Sequence, residues 1–167
     1  MGTNVFDVIA RRYDMANHVL SLGMDIYWRH VMASHVRAGG DLQVLDLGAG
    51  TGDSALIVSR CPSVGQVKGV DTSEAMLRVG RAKVRRVSSW NRVKLLSGDA
   101  MALRFQDGIF NIVTAAFSLR NFPDLMKGLM EARRMLKPGG QFVVLEFSTP
   151  RWGLPKWAHW LYLKTVL

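Results

Sequence analysis

From about residue 41 the chain alternates two kinds of pattern. Short runs rich in branched apolar residues are separated by stretches in which apolar residues recur every three or four positions. The first kind reads as strand and the second as helix. "QVLDL" (Gln43–Leu47) predicts a first strand, and Thr51–Arg60 a helix after a glycine turn. "QVKGVD" (Gln66–Asp71) predicts a second strand. The helix that follows, Ser73–Arg86, has Ser73 as a plausible N-cap and puts Ala75, Met76 and Val79 on one face. "RVKLLSGD" (Arg92–Asp99) predicts a third strand, and the region Ile109–Ala115 a fourth. Pro123–Leu136 reads as a helix with proline in its first turn and "KPGG" as its stop signal, and "QFVVLEF", centred on Phe142–Phe147, as a fifth strand.

Strands alternating with helices predict an α/β fold in which a mostly parallel sheet is covered on both faces. In such sheets ligands bind beyond the carboxyl ends of the strands, so the residues just after each strand are the ones to inspect. After the first strand comes "DLGAGTGD", Asp46–Asp53. Gly48, Gly50 and Gly52 permit tight turning and close approach of a ligand. An ordinary glycine-rich turn is the bland reading, and a nucleotide-type site the favoured one. The spacing G-x-G-x-G misses the dinucleotide fingerprint, and no G-K-[ST] follows to make a P-loop. Asp46 beside the loop would repel a pyrophosphate but suits a ligand with a cationic part, such as the sulfonium and amino group of S-adenosylmethionine. Asp71 ends the second strand, where a carboxylate can accept from a ribose diol; capping the next helix from outside is the alternative. Asp99, in "SGDA" after the third strand, could accept from an exocyclic adenine amine. A lone aspartate in a turn means little, but three at successive strand ends form a constellation.

Bulk properties narrow the class without deciding it. A chain of 167 residues suggests a single domain, and 49% hydrophobic residues is ample for a core. The single Cys61 excludes an internal disulfide framework and fits a reducing compartment. Beside Pro62 at a helix end, it reads as inert rather than nucleophilic. "MGTNVFDVIARRYD" has no signal-peptide core, and no stretch approaches the roughly 18 apolar residues of a spanning helix. A soluble, cytoplasmic protein is expected. The net charge of +9 admits nucleic acid, an anionic membrane surface or merely a solvated basic surface, and the spread of the cations favours the last. The four histidines form no visible metal-ligand cluster.

"VLDLGAGTGD", "GVDTSEAML", "GDA" and "RMLKPGG" together resemble the class I S-adenosylmethionine-dependent methyltransferases. "FDVIARRYDMANHVLSLGMDIYWR" (Phe6–Arg29) and "AFSLRNFPD…LEFSTP" further resemble the menaquinone/ubiquinone biosynthesis C-methyltransferases, over nearly the whole chain. The resemblance implies a Rossmann-like fold with S-adenosyl-L-methionine as cofactor and a polyprenylated quinol, demethylmenaquinol in preference to a benzoquinol, methylated on a ring carbon. It implies cofactor contacts at Thr51, Asp71, Asp99 and Ala100, and a methionine end shaped by Gly48, Gly50 and Gly52. Met76 is expected on adenine or in the core. Ala116 stands where some members carry serine, Ala49 where a further glycine is common, and "FSLRN" replaces the commoner "FGLRN".

The family's chains continue past "YLKTVL" and add two strands, so this chain is expected to lack the last two strands of the fold and to expose the edge of the fifth. Homodimerisation or a rearranged C-terminal segment is the expected consequence. The expected organisation is an N-terminal helical lid (1–40), a cofactor-binding core (41–149) and an aromatic-basic C-terminal segment (150–167). That segment holds Trp152, Trp157, Trp160 and Tyr162 beside Lys156 and Lys164. It suits packing against the family's further C-terminal part or a partner subunit or, less strongly, peripheral contact with the inner membrane face.

Carbon methylation needs an electron-rich ring, and a phenol of pKa ~10 is only about one part in a thousand ionised at neutral pH. A nearby cation lowers such a pKa by roughly 1–3 units. Arg120 suits that task. It cannot easily be the base, since it stays protonated. Asn121 can orient the ring oxygen or a water, and Tyr13 is the family's third member. The competing readings are an Arg120–Asp124 ion pair, Asn121 as a helix cap, and Tyr13 and Trp28 as core. A nucleic-acid methyltransferase is disfavoured, because "FSLRN" stands where amino-methylases carry an [N/D/S]-P-P-[Y/F] motif and Cys61 is misplaced for a pyrimidine methylase. A non-catalytic binding or assembly protein is the other alternative.

Overall fold

The structure is a computed structural model that describes residues 21, 23–37, 39–87 and 91–147. Five strands form one sheet: β1 (Leu42–Leu47), β2 (Val64–Asp71), β3 (Val93–Ser97), β4 (Phe110–Ala116) and β5 (Leu136–Leu145). Helix α1 (Met24–Ser34) precedes β1. Helix α2 (Asp53–Val58) lies between β1 and β2, α3 (Glu74–Val84) between β2 and β3, and α4 (Leu125–Met135) between β4 and β5. The strand order is β3-β2-β1-β4-β5, and every pairing is parallel. The order reverses between β1 and β4, which opens the crevice where ligands of such sheets bind.

Alternation along the strands sends side chains to two cores. Val44, Val67, Val93 and Ile112 join one cluster with Ala55 and Val58 of α2, Leu77 and Val84 of α3, and Met32 and Ala33 of α1. Leu45, Leu47, Val70, Val113 and Ala115 face the other way, onto Ala132 and Met135 of α4 and onto Leu103 and Phe110. The sheet is therefore covered on both faces, as the alternating pattern predicts. The described part of the expected 1–40 segment shares the first of these cores.

Three boundaries depart from the sequence reading. Asp124 is the N-cap of α4, its side chain accepting from the Lys127 N–H, so Pro123 precedes the cap instead of sitting in the first turn. The "KPGG" segment does not separate helix from strand. Met135 passes directly into β5, and Lys137–Gly140 form an excursion between the Phe110–Leu136 and Ile112–Gln141 pairings. Helix α2 is also shorter than the Thr51–Arg60 reading. Ser73 does cap α3, its Oγ accepting from Met76 N at 3.3 Å.

One side-chain clasp and one close backbone approach set how helices meet the sheet ends. Arg134 of α4 donates to the carbonyls of Leu103 and Phe105, to Asp107 at 2.6 Å and to both oxygens of Glu131. The Glu131 and Asp107 carboxylates hold its guanidinium above the usual arginine range, and its hydrogen bonds push the Glu131 carboxyl down. Gly80 brings α3 onto the loop after β1, where an added Cβ would stand 2.8 Å from the Thr51 carbonyl oxygen.

Candidate active site

Residues that follow β1 turn sharply under the start of the loop after β4. Gly48 has φ +65°, and a Cβ there would lie 2.4 Å from Ser118 Cβ. Ser118 Oγ donates to the Leu47 carbonyl at 2.8 Å. The β1 and β4 loops therefore touch at the point where the sheet order reverses. Asp71, at the end of β2, pins this arrangement. Its Oδ2 accepts from Gly50 N and its Oδ1 from Ser73 N, both at 2.8 Å. The sequence reading set ribose binding against helix capping, but the carboxylate holds the backbone on both sides and keeps further lone pairs for a diol. Asp99 accepts from Met101 N at 2.8 Å through Oδ1. Met76, Ala100 and Ala116 are buried, and Met76 Cε reaches within 3.4 Å of where a Gly50 Cβ would stand. Thr51 is buried, and its hydroxyl accepts from Lys83 Nζ at 3.2 Å beside the Lys83–Asp53 ion pair.

Asp46 is the most perturbed group of the site. It is 1% exposed. Its Oδ1 accepts from Thr114 Oγ1 at 2.7 Å, across the β1–β4 register that pairs the two residues. Its Oδ2 has no hydrogen-bond partner among the described residues. Burial raises its pKa from 3.8 to about 6, against the opposing effects of the Thr114 hydroxyl and the Arg29 cation, while the Asp71 charge adds to the rise. An orphaned buried carboxylate oxygen calls for a donor or cation. Together with the glycine cradle and the acids at the ends of β2 and β3, it fits the amino and sulfonium groups, ribose and adenine of S-adenosylmethionine.

On the β4 side, Leu119–Asn121 form one 3-10 turn. Arg120 pairs with Glu146, just past β5, and not with Asp124, which is engaged at its helix cap. The Arg120 Nη1–Glu146 Oε1 distance is 3.1 Å. The Arg120 guanidinium lies 5.2 Å over the Phe147 ring. Phe147 stacks on Phe117 with centroids 4.8 Å apart, Trp28 packs edge-on against both, and Arg29 covers Phe117 at 5.2 Å. Phe117 adopts φ +57°, a left-handed conformation costly for an aromatic residue, at the turn between β4 and Arg120. Trp28 thus packs in an aromatic cluster. Arg29 also donates to Ser54 Oγ, so α1 reaches both halves of the site. Asn121 is not the cap of α4, and its side chain bonds no described residue. Tyr13 and the segment 150–167 lie outside the described residues.

Glu146, Phe147, Phe117 and Arg29 are the site residues that the sequence reading missed. A signal was available for Glu146, because the rule of inspecting each strand end applies to the fifth strand as it does to the others. Cys61 follows α2, with Sγ 3.7 Å from the Ala33 carbonyl oxygen, and burial pushes its thiol pKa up, against a nucleophilic role. Among the described residues no group of three or more His, Cys, Asp or Glu is placed to hold a metal. No helix among them is long and apolar enough to cross a membrane.

Comparison with known proteins agrees with this geometry. Residues 2–167 match the model of the ubiE/COQ5 methyltransferase family. The chain is 41% identical over 164 residues to a ubiquinone/menaquinone biosynthesis C-methyltransferase of Geotalea daltonii, covering 98% of this chain and 70% of that protein. It is 39% identical over 163 residues to a demethylmenaquinone methyltransferase of Bacteroides fragilis, covering 98% and 66%. The chain thus spans about two thirds of the length of these relatives. Among solved structures it superimposes on the YcgJ protein of Bacillus subtilis with a TM-score of 0.69 at 30% identity, over 75% of this chain and 52% of that one. It also superimposes on a putative methyltransferase of Bacillus halodurans with a TM-score of 0.66 at 32% identity, over 73% and 52%. A glycine loop under a parallel sheet's switch point, acids at three strand ends and a sequence match along nearly its full length together assign this chain to the ubiE/COQ5 methyltransferase family.

Proposed function

We propose that the chain transfers a methyl group from S-adenosyl-L-methionine to a ring carbon of a polyprenylated quinol, with demethylmenaquinol as the preferred acceptor. When bound, the cofactor supplies an electrophilic methyl group on a sulfonium sulfur. Asp46, Asp71, Asp99, Met76, Ala100 and Ala116 line its cradle with the glycine loop, and Thr51 braces that loop through Lys83. Arg120 stabilises the deprotonated ring hydroxyl, which makes the ring carbon nucleophilic. Asn121, with its amide uncommitted to any described residue, orients the ring oxygen or a water, and Tyr13 is proposed as the third member of this group.

The observation that supports this reading is the seating of the Ser118–Asn121 segment directly on the glycine loop, through the Ser118 Oγ bond to Leu47. This contact supports a shared site for Arg120, Asn121 and the cofactor. The test is Arg120→Ala. Cofactor affinity by calorimetry is expected to stay within about twofold, while methylation of demethylmenaquinol falls by 100-fold or more, roughly the effect of losing one transition-state charge contact. Equal losses of binding and turnover would make Arg120 a structural residue. A homodimer and peripheral contact with an anionic membrane belong to the same proposal, since the acceptor carries a lipid tail; light scattering and liposome flotation test them.

A further inference from the structure

Among the described residues, Arg120 is held at one edge only. Both oxygens of Glu146 are turned to it. Oε1 accepts from Nη1 at 3.1 Å, and Oε2 lies 3.5 Å from the Arg120 backbone N–H. Oε1 also accepts from Phe147 N at 3.1 Å, which locks the carboxylate to the end of β5. The Phe147 ring beneath the guanidinium sets its plane, and Phe117 stacked behind Phe147 supports that ring from β4. Nε and Nη2 of Arg120 donate to no described residue. A planar cation with one edge anchored, one face covered and its other donors open is a prepared receptor for a single anionic oxygen.

We propose that Glu146 is the positioning residue for Arg120: its carboxylate, with the Phe147 ring, holds the guanidinium so that its remaining donors meet the ring oxygen of the methyl acceptor. This rests on the phenolate-stabilising role proposed above for Arg120. Glu146 acts through Arg120 and does two opposing things. It fixes the cation in place, and its own negative charge weakens the field that the cation presents to a phenolate. Among the described residues, Arg29 lies across Phe117 and the Asp124 carboxylate is committed to the α4 cap. Neither changes identity in the variants below.

The two effects separate by sign. Glu146→Gln keeps a carbonyl oxygen to accept from Nη1 and Phe147 N while removing the charge. Glu146→Ala removes both anchor and charge. The probe is a nitronaphthol whose ionisation is read by absorbance while bound to the protein saturated with S-adenosylhomocysteine. Against wild type, Glu146→Gln is expected to lower the bound probe's pKa by about one unit. Glu146→Ala is expected to raise it towards the free value and to weaken phenolate binding at least fivefold. A bound pKa in Glu146→Ala equal to wild type, or one raised in Glu146→Gln, overturns the proposal. Arg120→Ala is the control for the underlying reading. If it leaves the bound pKa unchanged, the phenolate role fails, whatever Glu146 does. Should wild type not bind the probe, the acceptor site of the proposed function fails, and the Arg120 Nε–H resonance then decides the anchor alone. A distinct, slowly exchanging signal in wild type and Glu146→Gln that collapses in Glu146→Ala supports the anchor, and an identical signal in all three overturns it. Calorimetry with S-adenosylhomocysteine confirms that each variant is folded.

Discussion

Replacing Asp46 by asparagine should change how stability depends on pH. The wild-type carboxyl has a folded-state pKa of about 6 against 3.8 unperturbed. The folded protein therefore holds this proton more tightly than the unfolded chain does. The contribution to stability is fully present below pH about 4, is lost as pH rises towards about 6, and stays lost above. A rise of roughly two units corresponds to about 3 kcal/mol, the cost of keeping this charge buried in the ligand-free protein at neutral pH. In Asp46→Asn the carbonyl oxygen still accepts from Thr114, and the new amide N–H group occupies the position of the orphaned Oδ2. That unpaired donor costs about 1–3 kcal/mol at every pH. The absolute stability of the variant at pH 7 thus falls within about 2 kcal/mol above wild type, the lost charge offsetting the unpaired amide. The informative quantity is the difference between the two proteins as a function of pH, because every other titrating group cancels. Urea unfolding of the ligand-free proteins at half-unit steps from pH 4 to 7.5 should show the variant gaining about 2.5 kcal/mol on wild type, most of it between pH 4 and 6. A difference that is flat across this range would refute the argument, and with it the reading of Asp46 as a charge held ready for a cationic ligand.

Two further substitutions test how the cradle is built. Gly80→Ala places a Cβ 2.6 Å from Leu95 Cδ1 and 2.8 Å from the Thr51 carbonyl oxygen. The overpacking should outweigh the better helix propensity and cost about 1–2 kcal/mol in urea unfolding, and a variant more stable than wild type would show that α3 can move away freely. Arg134→Ala frees two backbone carbonyls and two carboxylates at once. We expect a loss of about 2–3 kcal/mol, allowing for partial solvent exposure, with faster amide exchange across residues 103–108 and no rescue by lysine, which lacks the fork.

Much of the cradle was legible because its chemistry sits at strand ends, and strand ends are set by local pattern. Asp46, Asp71 and Asp99 could each be found from where an apolar run stops. The Ser73 cap followed from capping chemistry, whereas helix period grouped Met76 with Ala75 and Val79 although α3 buries it with Leu77, Gly80 and Val84. The partners of these residues could not be found in that way. That Arg120 takes Glu146 and leaves Asp124 alone depends on β5 lying parallel beside β4, a contact spanning 26 residues. Asp124 is the nearer acid in sequence, but its side chain is already committed to its own helix. The aromatic stack was hidden for a similar reason. Trp28, Phe117 and Phe147 come from three separate elements, and Phe117 reaches the stack only through a left-handed turn that no propensity would assign to phenylalanine. The "KPGG" misreading has the opposite origin. Local stop chemistry was present, but pairing with β4 on either side of it carried the strand through.

Arg29 gives the site a property beyond the sum of its contacts. Its guanidinium bonds Ser54 near the cofactor loop, lowers the pKa of Asp46 and covers the far face of the stack on which Arg120 rests. A single side chain therefore touches both the proposed cofactor cradle and the stack on which Arg120 rests. With both ligands bound as proposed, the factor by which one changes the affinity for the other through Arg29 is the same in either direction. Such a coupling needs no moving gate.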